Sequence, residues 1–191
     1  MSSFLETIKS NNGVIENLCY HQKRYESVLK SYGVLEYKNL KEYLNPLKSG
    51  VFRCRLVYTL DSIDVTYHSY ERKNVESLKI VYSDIEYAQK STNRDELNEL
   101  YLKKESCDDI LIVKDSLVTD TSIANIAIFL DGVWKTPKTP LLKGTTRDRL
   151  LEDGLLVEAD IGVNELKESS KIALMNAMIG FYIVDNCRFL I

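Results

Sequence analysis

Polar and apolar residues change rhythm several times along this chain, and each change predicts an element. Residues 3–9 (SFLETIK) read as a short strand. Asn11-Asn12-Gly13 suits a tight turn with left-handed backbone, and Val14 to Leu18 reads as the returning strand of a hairpin. From Tyr20 to Tyr32 the apolar positions Tyr25, Val28, Leu29 and Tyr32 fall at helical spacing, and Gly33 stands where a helix C-cap is expected. A second helix over 38–45 ends where Pro46 forbids continuation.

The period then becomes that of strands. VFRCRLVYTL (51–60) and IDVTYHSY (63–70) alternate or run apolar, and the polar stretch ERKNVE (71–76) is the candidate domain boundary. Beyond it, SLKIVYS (77–83) predicts a strand, and Asp95 to Lys104 carries Leu97, Leu100 and Tyr101 on one helical face. DILIVKD (109–115), NIAIFLDG (125–132) and VWKTP (133–137) predict strands, the last two joined by an Asp-Gly turn. Thr146 to Glu152 predicts a helix stopped by Gly154, and LKESS (166–170) a short helical piece. IALMNAMIGFYIV (172–184) reads as one buried apolar segment whose Asn176 must find hydrogen-bond partners. Helices and strands intermixed in two unequal halves predict an α+β fold with domains at 1–73 and 76–191. No strand is followed by a GxGxxG turn, so a dinucleotide fold is not expected.

Charge and composition narrow the partners. With 28 acidic residues against 25 basic ones the net charge is -3, which offers no large field for a nucleic-acid backbone or an anionic membrane. A small molecule or a protein is the expected partner. The start MSSFLETIKSNNG has no basic n-region followed by an apolar h-region, and no apolar run approaches the ~20 residues of a membrane helix, so a cytoplasmic location is expected. Cys19, Cys54, Cys107 and Cys187 are scattered singly and only His21 and His68 are there to join them, so the expectation is free thiols and no metal site.

Four segments carry candidate chemistry. In KGTTRDRLLEDG (143–154) a glycine and two threonines open a helix, whose free N–H groups and positive dipole end suit a phosphate; capping by Thr145 or Thr146 is the alternative. Lys90 lies between a predicted strand and a helix, where burial or a nearby cation makes an amine nucleophilic; an ordinary surface lysine is the alternative. Asp120 ends one strand and Asn125 begins the next; a carboxylate beside a β core needs a cation or donor such as a protonated pyridine nitrogen, or else it serves a turn. YHQKRY (20–25) places His21 and Arg24 at a helix start, either to complete a phosphate site or as a solvated basic face.

Taken together, these pieces resemble the class IV aminotransferase family, which includes branched-chain and D-amino-acid aminotransferases and aminodeoxychorismate lyases. Residues 118–156 (VTDTSIANIAIFLDGVWKTPKTPLLKGTTRDRLLEDGLL) match its pattern of an acidic residue, Asn five places on, a strand hairpin, Thr-Pro, and Gly-x-Thr-Arg opening a helix, here Asp120, Asn125, Thr136-Pro137 and Gly144-Thr145-Thr146-Arg147. Lys90-Ser91-Thr92-Asn93-Arg94 resembles the lyase form of the Schiff-base lysine motif. FLET (4–7), His21-Gln22-Lys23-Arg24 and LMNAMIG (174–180) extend the likeness toward both ends.

The resemblance implies the two-domain, D-amino-acid aminotransferase-like fold of type IV pyridoxal-phosphate enzymes: a small α/β N-terminal domain, shortened around 33–73, and a larger β-rich pseudo-barrel. It implies pyridoxal 5'-phosphate as cofactor, with Lys90 as Schiff-base lysine and proton shuttle and Asp120, in place of the usual Glu, at the pyridine nitrogen. Asn125 belongs to the same cofactor-binding set, while Arg24, Thr145 and Thr146 would hold the phosphate with Asn176 or Ala177 nearby. A homodimer is implied in the same way. The activity it points to is that of an aminodeoxychorismate lyase, releasing pyruvate to give 4-aminobenzoate for folate synthesis. A transaminase of branched-chain or D-amino acids, or a shortened relative that binds the cofactor without catalysis, are the alternatives.

Overall fold

In the first strand, β1 (Phe4–Asn11), Phe4, Glu6, Ile8 and Ser10 point inward and are buried while the residues between them are half-buried, so the period of two holds for eight residues. The computed structural model describes residues 2–190. In it the chain forms two units, residues 2–72 with Gln89–Asn93, and Lys73–Ala88 with residues 94–190.

The first unit is a four-stranded antiparallel sheet in the order β2-β1-β3-β4, from β1, β2 (Val14–Ile15), β3 (Val51–Tyr58) and β4 (Ile63–Ser69). Asn12 and Gly13 turn the hairpin at φ 48° and 82°. The returning strand is shorter than the expected 14–18. Asn17 takes a left-handed φ of 52° and caps helix α1 (Leu18–Ser31), so the chain leaves the sheet after Ile15. Helix α1 buries His21, Tyr25, Val28 and Leu29, and Tyr25 meets Tyr58 edge-on at 4.9 Å. It ends as the sequence predicts: Gly33 at φ 82° donates to Lys30 O while Val34 N reaches back to Leu29 O. The helix expected over 38–45 is only a single 3-10 turn, Leu40–Tyr43, capped by Asn39.

Residues 89–93 return to this unit across the expected boundary at 71–76. Leu5 N donates to Lys90 O at 2.9 Å, Thr92 N donates to Ser3 O at 3.0 Å, and Phe4 and Ser91 pair antiparallel. The cause is an open edge. With β2 only two residues long, the first half of β1 keeps unpaired backbone groups on one side, and 90–92 satisfy them.

The second unit is α+β and dominated by one nine-stranded sheet. Its strands are β5 (Ser77–Tyr82), β6 (Asp109–Lys114), β7 (Leu117–Thr121), β8 (Asn125–Leu130), β9 (Val133–Pro137), β10 (Val157–Ala159), β11 (Lys171–Asn176), β12 (Gly180–Val184) and β13 (Arg188–Leu190). The path runs β10-β9-β8-β7-β6-β5-β13, and β11 branches from β8 to carry β12. Its helices are α2 (Asp95–Leu102), α3 (Thr145–Glu152) and α4 (Val163–Glu168).

Continuous apolar runs in this unit reflect burial on both faces. Leu111 and Val113 of β6, Ile126 and Ile128 of β8, and Ile172 and Leu174 of β11 share the main core. The residues between them face outward under helices: Ile110 and Ile112 pack with Leu97 and Leu100 of α2, and Ala127, Ala173 and Met175 pack with Leu150 of α3. The segment expected as one apolar stretch at 172–184 is a hairpin. Asn176 Oδ1 accepts from Met178 N and Ile179 N, and Gly180 at φ 65° completes the reversal.

Among the described residues no helix is long and apolar enough to cross a membrane, no group of His, Cys, Asp and Glu is arranged to hold a metal, and all four cysteines are free. Ile126 is fully buried and Ile123, three residues earlier, is 62% exposed. Ile126→Ala should therefore cost about 2–5 kcal/mol in a urea melt, and Ile123→Ala no more than about 0.5 kcal/mol.

Candidate active site

The residues of interest in the second unit gather at the start of β8. Register pairs Asn125 with Asp120 of β7 on one side and with Met175 of β11 on the other, so the turn at Asn176 and Ala177 follows directly. Asn125 Nδ2 donates to Asp120 Oδ1 at 2.7 Å and to Leu142 O at 2.8 Å; Leu142 N donates to Asp120 Oδ2 at 2.9 Å. Asn176 Nδ2 donates to Ile123 O at 3.3 Å and so ties the β11–β12 turn to the one after Asp120.

Asn125 also explains the glycine before α3. A Cβ built on Gly144 would lie 1.9 Å from Asn125 Oδ1. At φ -78° the backbone there suits any residue, so the requirement is one of space. Gly144 is the N-cap and no side chain caps the helix. Thr145 and Thr146, nearly fully buried, sit within the first turn, which removes the reading of either as the N-cap. The helix start thus keeps its dipole and uncapped N–H groups beside two hydroxyl side chains. Arg147, 1% exposed, is tied down by Pro137 O at 2.8 Å and Glu158 Oε1 at 2.6 Å, anchoring this turn to β9 and β10.

Asp120 is fully enclosed. Burial pushes its carboxyl up from the usual 3.8 to about 7, although Asn125, the peptide N–H groups of Leu142 and Leu141, and the charge of Arg147 all pull the other way. A cation placed against this carboxyl would return it to its charged form.

The other two candidates belong to the first unit. Lys90 is half-buried, in the extended segment whose backbone is bound to β1. Arg24 is no member of a solvated face: its Nε donates to Glu6 Oε1 at 2.8 Å and its Nη2 to Glu6 Oε2 at 2.6 Å, while His21 Nδ1 lies 2.6 Å from that second oxygen. Burial acts to raise the Glu6 carboxyl, but Arg24 and His21 outweigh it and hold it down at about 2. Sequence reasoning passed over Glu6. Its signal was the inward phase of β1, which placed a carboxylate on the apolar side and required a cation opposite.

Comparison with known proteins shows the family and the fold. The profile of the amino-transferase class IV family matches residues 3–187. An uncharacterized protein of Haemophilus influenzae (strain Rd) is 34% identical over 187 residues, covering 94% of this chain and 100% of its own. A solved structure from Haemophilus somnus 129PT, provisionally named a 4-amino-4-deoxychorismate lyase, is similar with a TM-score of 0.84 at 34% identity, covering 94% of this chain and 98% of that one. A Mycobacterium tuberculosis protein described as a hypothetical aminotransferase, solved with pyridoxal phosphate bound, shares the fold at a TM-score of 0.79 and 17% identity, covering 97% of this chain and 82% of its own.

Gly144→Ala should destabilise the protein by about 1–3 kcal/mol and cost clearly less in an Asn125→Ala background, a coupling that a double-mutant cycle reads directly. For Asp120, between pH 3.8 and about 7 the native state holds a proton that the unfolded chain has released. Its contribution is therefore complete at low pH and is lost as pH rises through about 7. Denaturation followed across that range should show this fall in wild type, and Asp120→Asn should flatten it.

Proposed function

Because the chain belongs to the class IV amino-transferase family, we propose that it is a pyridoxal-phosphate-dependent lyase of the aminodeoxychorismate type, releasing pyruvate to leave 4-aminobenzoate. The observation that carries this reading is the Asp120–Asn125 pair packed against the uncapped start of α3 through Gly144. A buried acid and a helix terminus with two hydroxyl residues suit the two polar ends of this cofactor, a basic ring nitrogen and a phosphate dianion.

In this reading Lys90 Nζ holds the cofactor covalently and then carries the proton taken from the substrate carbon that bears the amine. Asp120 keeps the ring nitrogen protonated, and Asn125 aims that carboxylate. The N–H groups and hydroxyls of Thr145 and Thr146 bind the phosphate, with Asn176 and Ala177 beside them. Arg24 adds a cation held by Glu6, whose carboxylate His21 also contacts. The bound cofactor supplies an electron sink for the charge left on proton removal. The product gives the enzyme its place in folate synthesis. The same reading includes a cytoplasmic homodimer with amino-acid-like substrates and no nucleic-acid or membrane partner.

Transamination of a branched-chain or D-amino acid uses the same groups and is the second reading, supported by the family's own activity. A shortened, non-catalytic cofactor-binding relative is the third. Purified protein loaded with pyridoxal phosphate is expected to show the absorbance band of a cofactor bound to lysine, and Lys90→Ala to lose it. Given aminodeoxychorismate, the loaded protein should yield pyruvate and 4-aminobenzoate in equal amounts. Product only from an amino acid paired with a 2-oxo acid would favour the transaminase, and a band without turnover of either would favour the non-catalytic form.

A further inference from the structure

Between Asp120 and Asn125 the chain turns through Thr121–Ala124, and a charged residue grips that turn at Ser122. Arg94 Nη2 donates to Ser122 O at 2.8 Å, and its guanidinium lies over the Tyr87 ring at 5.6 Å. Beside the turn, burial pushes the carboxyl of Asp109, 3% exposed, upward against a partial pull from Ser122 and Thr121, and Ile110 N donates to its Oδ1 at 2.8 Å. Thr121 Oγ1 in turn accepts from Ala124 N at 3.0 Å and Ile123 N at 3.3 Å, and Thr121 N donates to Ala124 O at 2.9 Å. Every residue of the turn is thus held.

Arg94 takes no part in the chemistry proposed for Asp120. Its hydrogen bond falls on a peptide of the turn that sets how far apart Asp120 and Asn125 stand. Hydrogen bonds with one ionised partner are short and directional, so this one opposes rotation of the Ser122 peptide. Arg94 also stands four residues after Lys90, so one short segment carries both the amine and the cation that grips the turn following the carboxylate.

We infer that Arg94 is a positioning residue, which locks the Thr121–Ala124 turn through Ser122 and thereby keeps Asp120 aimed and water-free. For the cofactor this rests on the reading of Asp120 as the ring nitrogen's partner, but the effect on Asp120 itself does not. Around Asp120, burial raises the carboxyl and Asn125, the peptide N–H groups of Leu142 and Leu141, and Arg147 pull it down. Loss of the Arg94 charge would by itself raise the Asp120 midpoint, so a fall in an Arg94 variant reports the turn.

The test follows the Asp120 carboxyl by carbon-detected NMR titration of the cofactor-free protein, with Asp120→Asn to assign the signal. Arg94→Met should admit water and move the midpoint from about 7 toward the ordinary carboxylate range, while Arg94→Lys, which keeps one donor for Ser122 O, should restore it in large part. In the loaded protein the same variants should shift the pH midpoint of the cofactor absorbance in step. An Asp120 midpoint unchanged or raised in folded Arg94→Met would overturn the inference. So would a shift that Arg94→Lys fails to reverse while its melting temperature matches wild type. If Asp120 responds as expected but wild type shows no cofactor band, the positioning stands and the assignment of function falls.

Discussion

One carboxamide organises the second unit's chemistry. Asn125 shares its two Nδ2 hydrogens between Asp120 and Leu142 O, and its Oδ1 occupies the space a side chain on residue 144 would need. In an enclosed site such bonds are strong because water does not compete, and any unmade one is expensive. The amide therefore fixes three things together: the direction of a buried acid, the path of the loop entering α3, and the absence of a Cβ at its N-cap. A phosphate-sized anion is recognised at a helix terminus only when the backbone there is approachable, and that approach is set from β8, a strand away.

The first unit meets a similar problem with different means. Glu6 is placed inward by the pleat of β1, two residues from Phe4 and two from Ile8, where an uncompensated charge is untenable. Arg24 engages both of its oxygens and His21 closes the cluster, so the guanidinium is oriented by a partner more buried than itself. The same strand binds the Lys90 peptide through Leu5 N. β1 thus serves as a jig for two cations as well as a core strand.

How much of this was legible in sequence depended on whether the cause was local. Helix α1 and its glycine stop, the start of α3 within one residue, and strands β5, β6, β8 and β9 followed from periodicity and capping rules. β10 and β13 are three residues each, too short for a period to register, and both owe their place to parallel partners, β9 and β5, distant along the chain. The β11–β12 turn was hidden because an Asn side chain substitutes for the usual turn residues until Gly180. Among the site residues, Asp120, Asn125 and Thr145 are drawn together by pairing and a close approach. Glu6 and Arg94 carry partners 18 and 28 positions away, as Arg24 and Ser122, which no spacing rule anticipates.

The return of residues 89–93 to the edge of β1 bears on how the molecule is made. A ribosome adding about 5–20 residues per second exposes β1 several seconds before the segment that covers its open edge. During that interval the first sheet presents an unpaired strand border, the kind of surface that recruits another nascent chain. The lysine segment is therefore also a molecular hem: until it has emerged and been stitched in place, the amino-terminal sheet is unfinished however well its own core has formed.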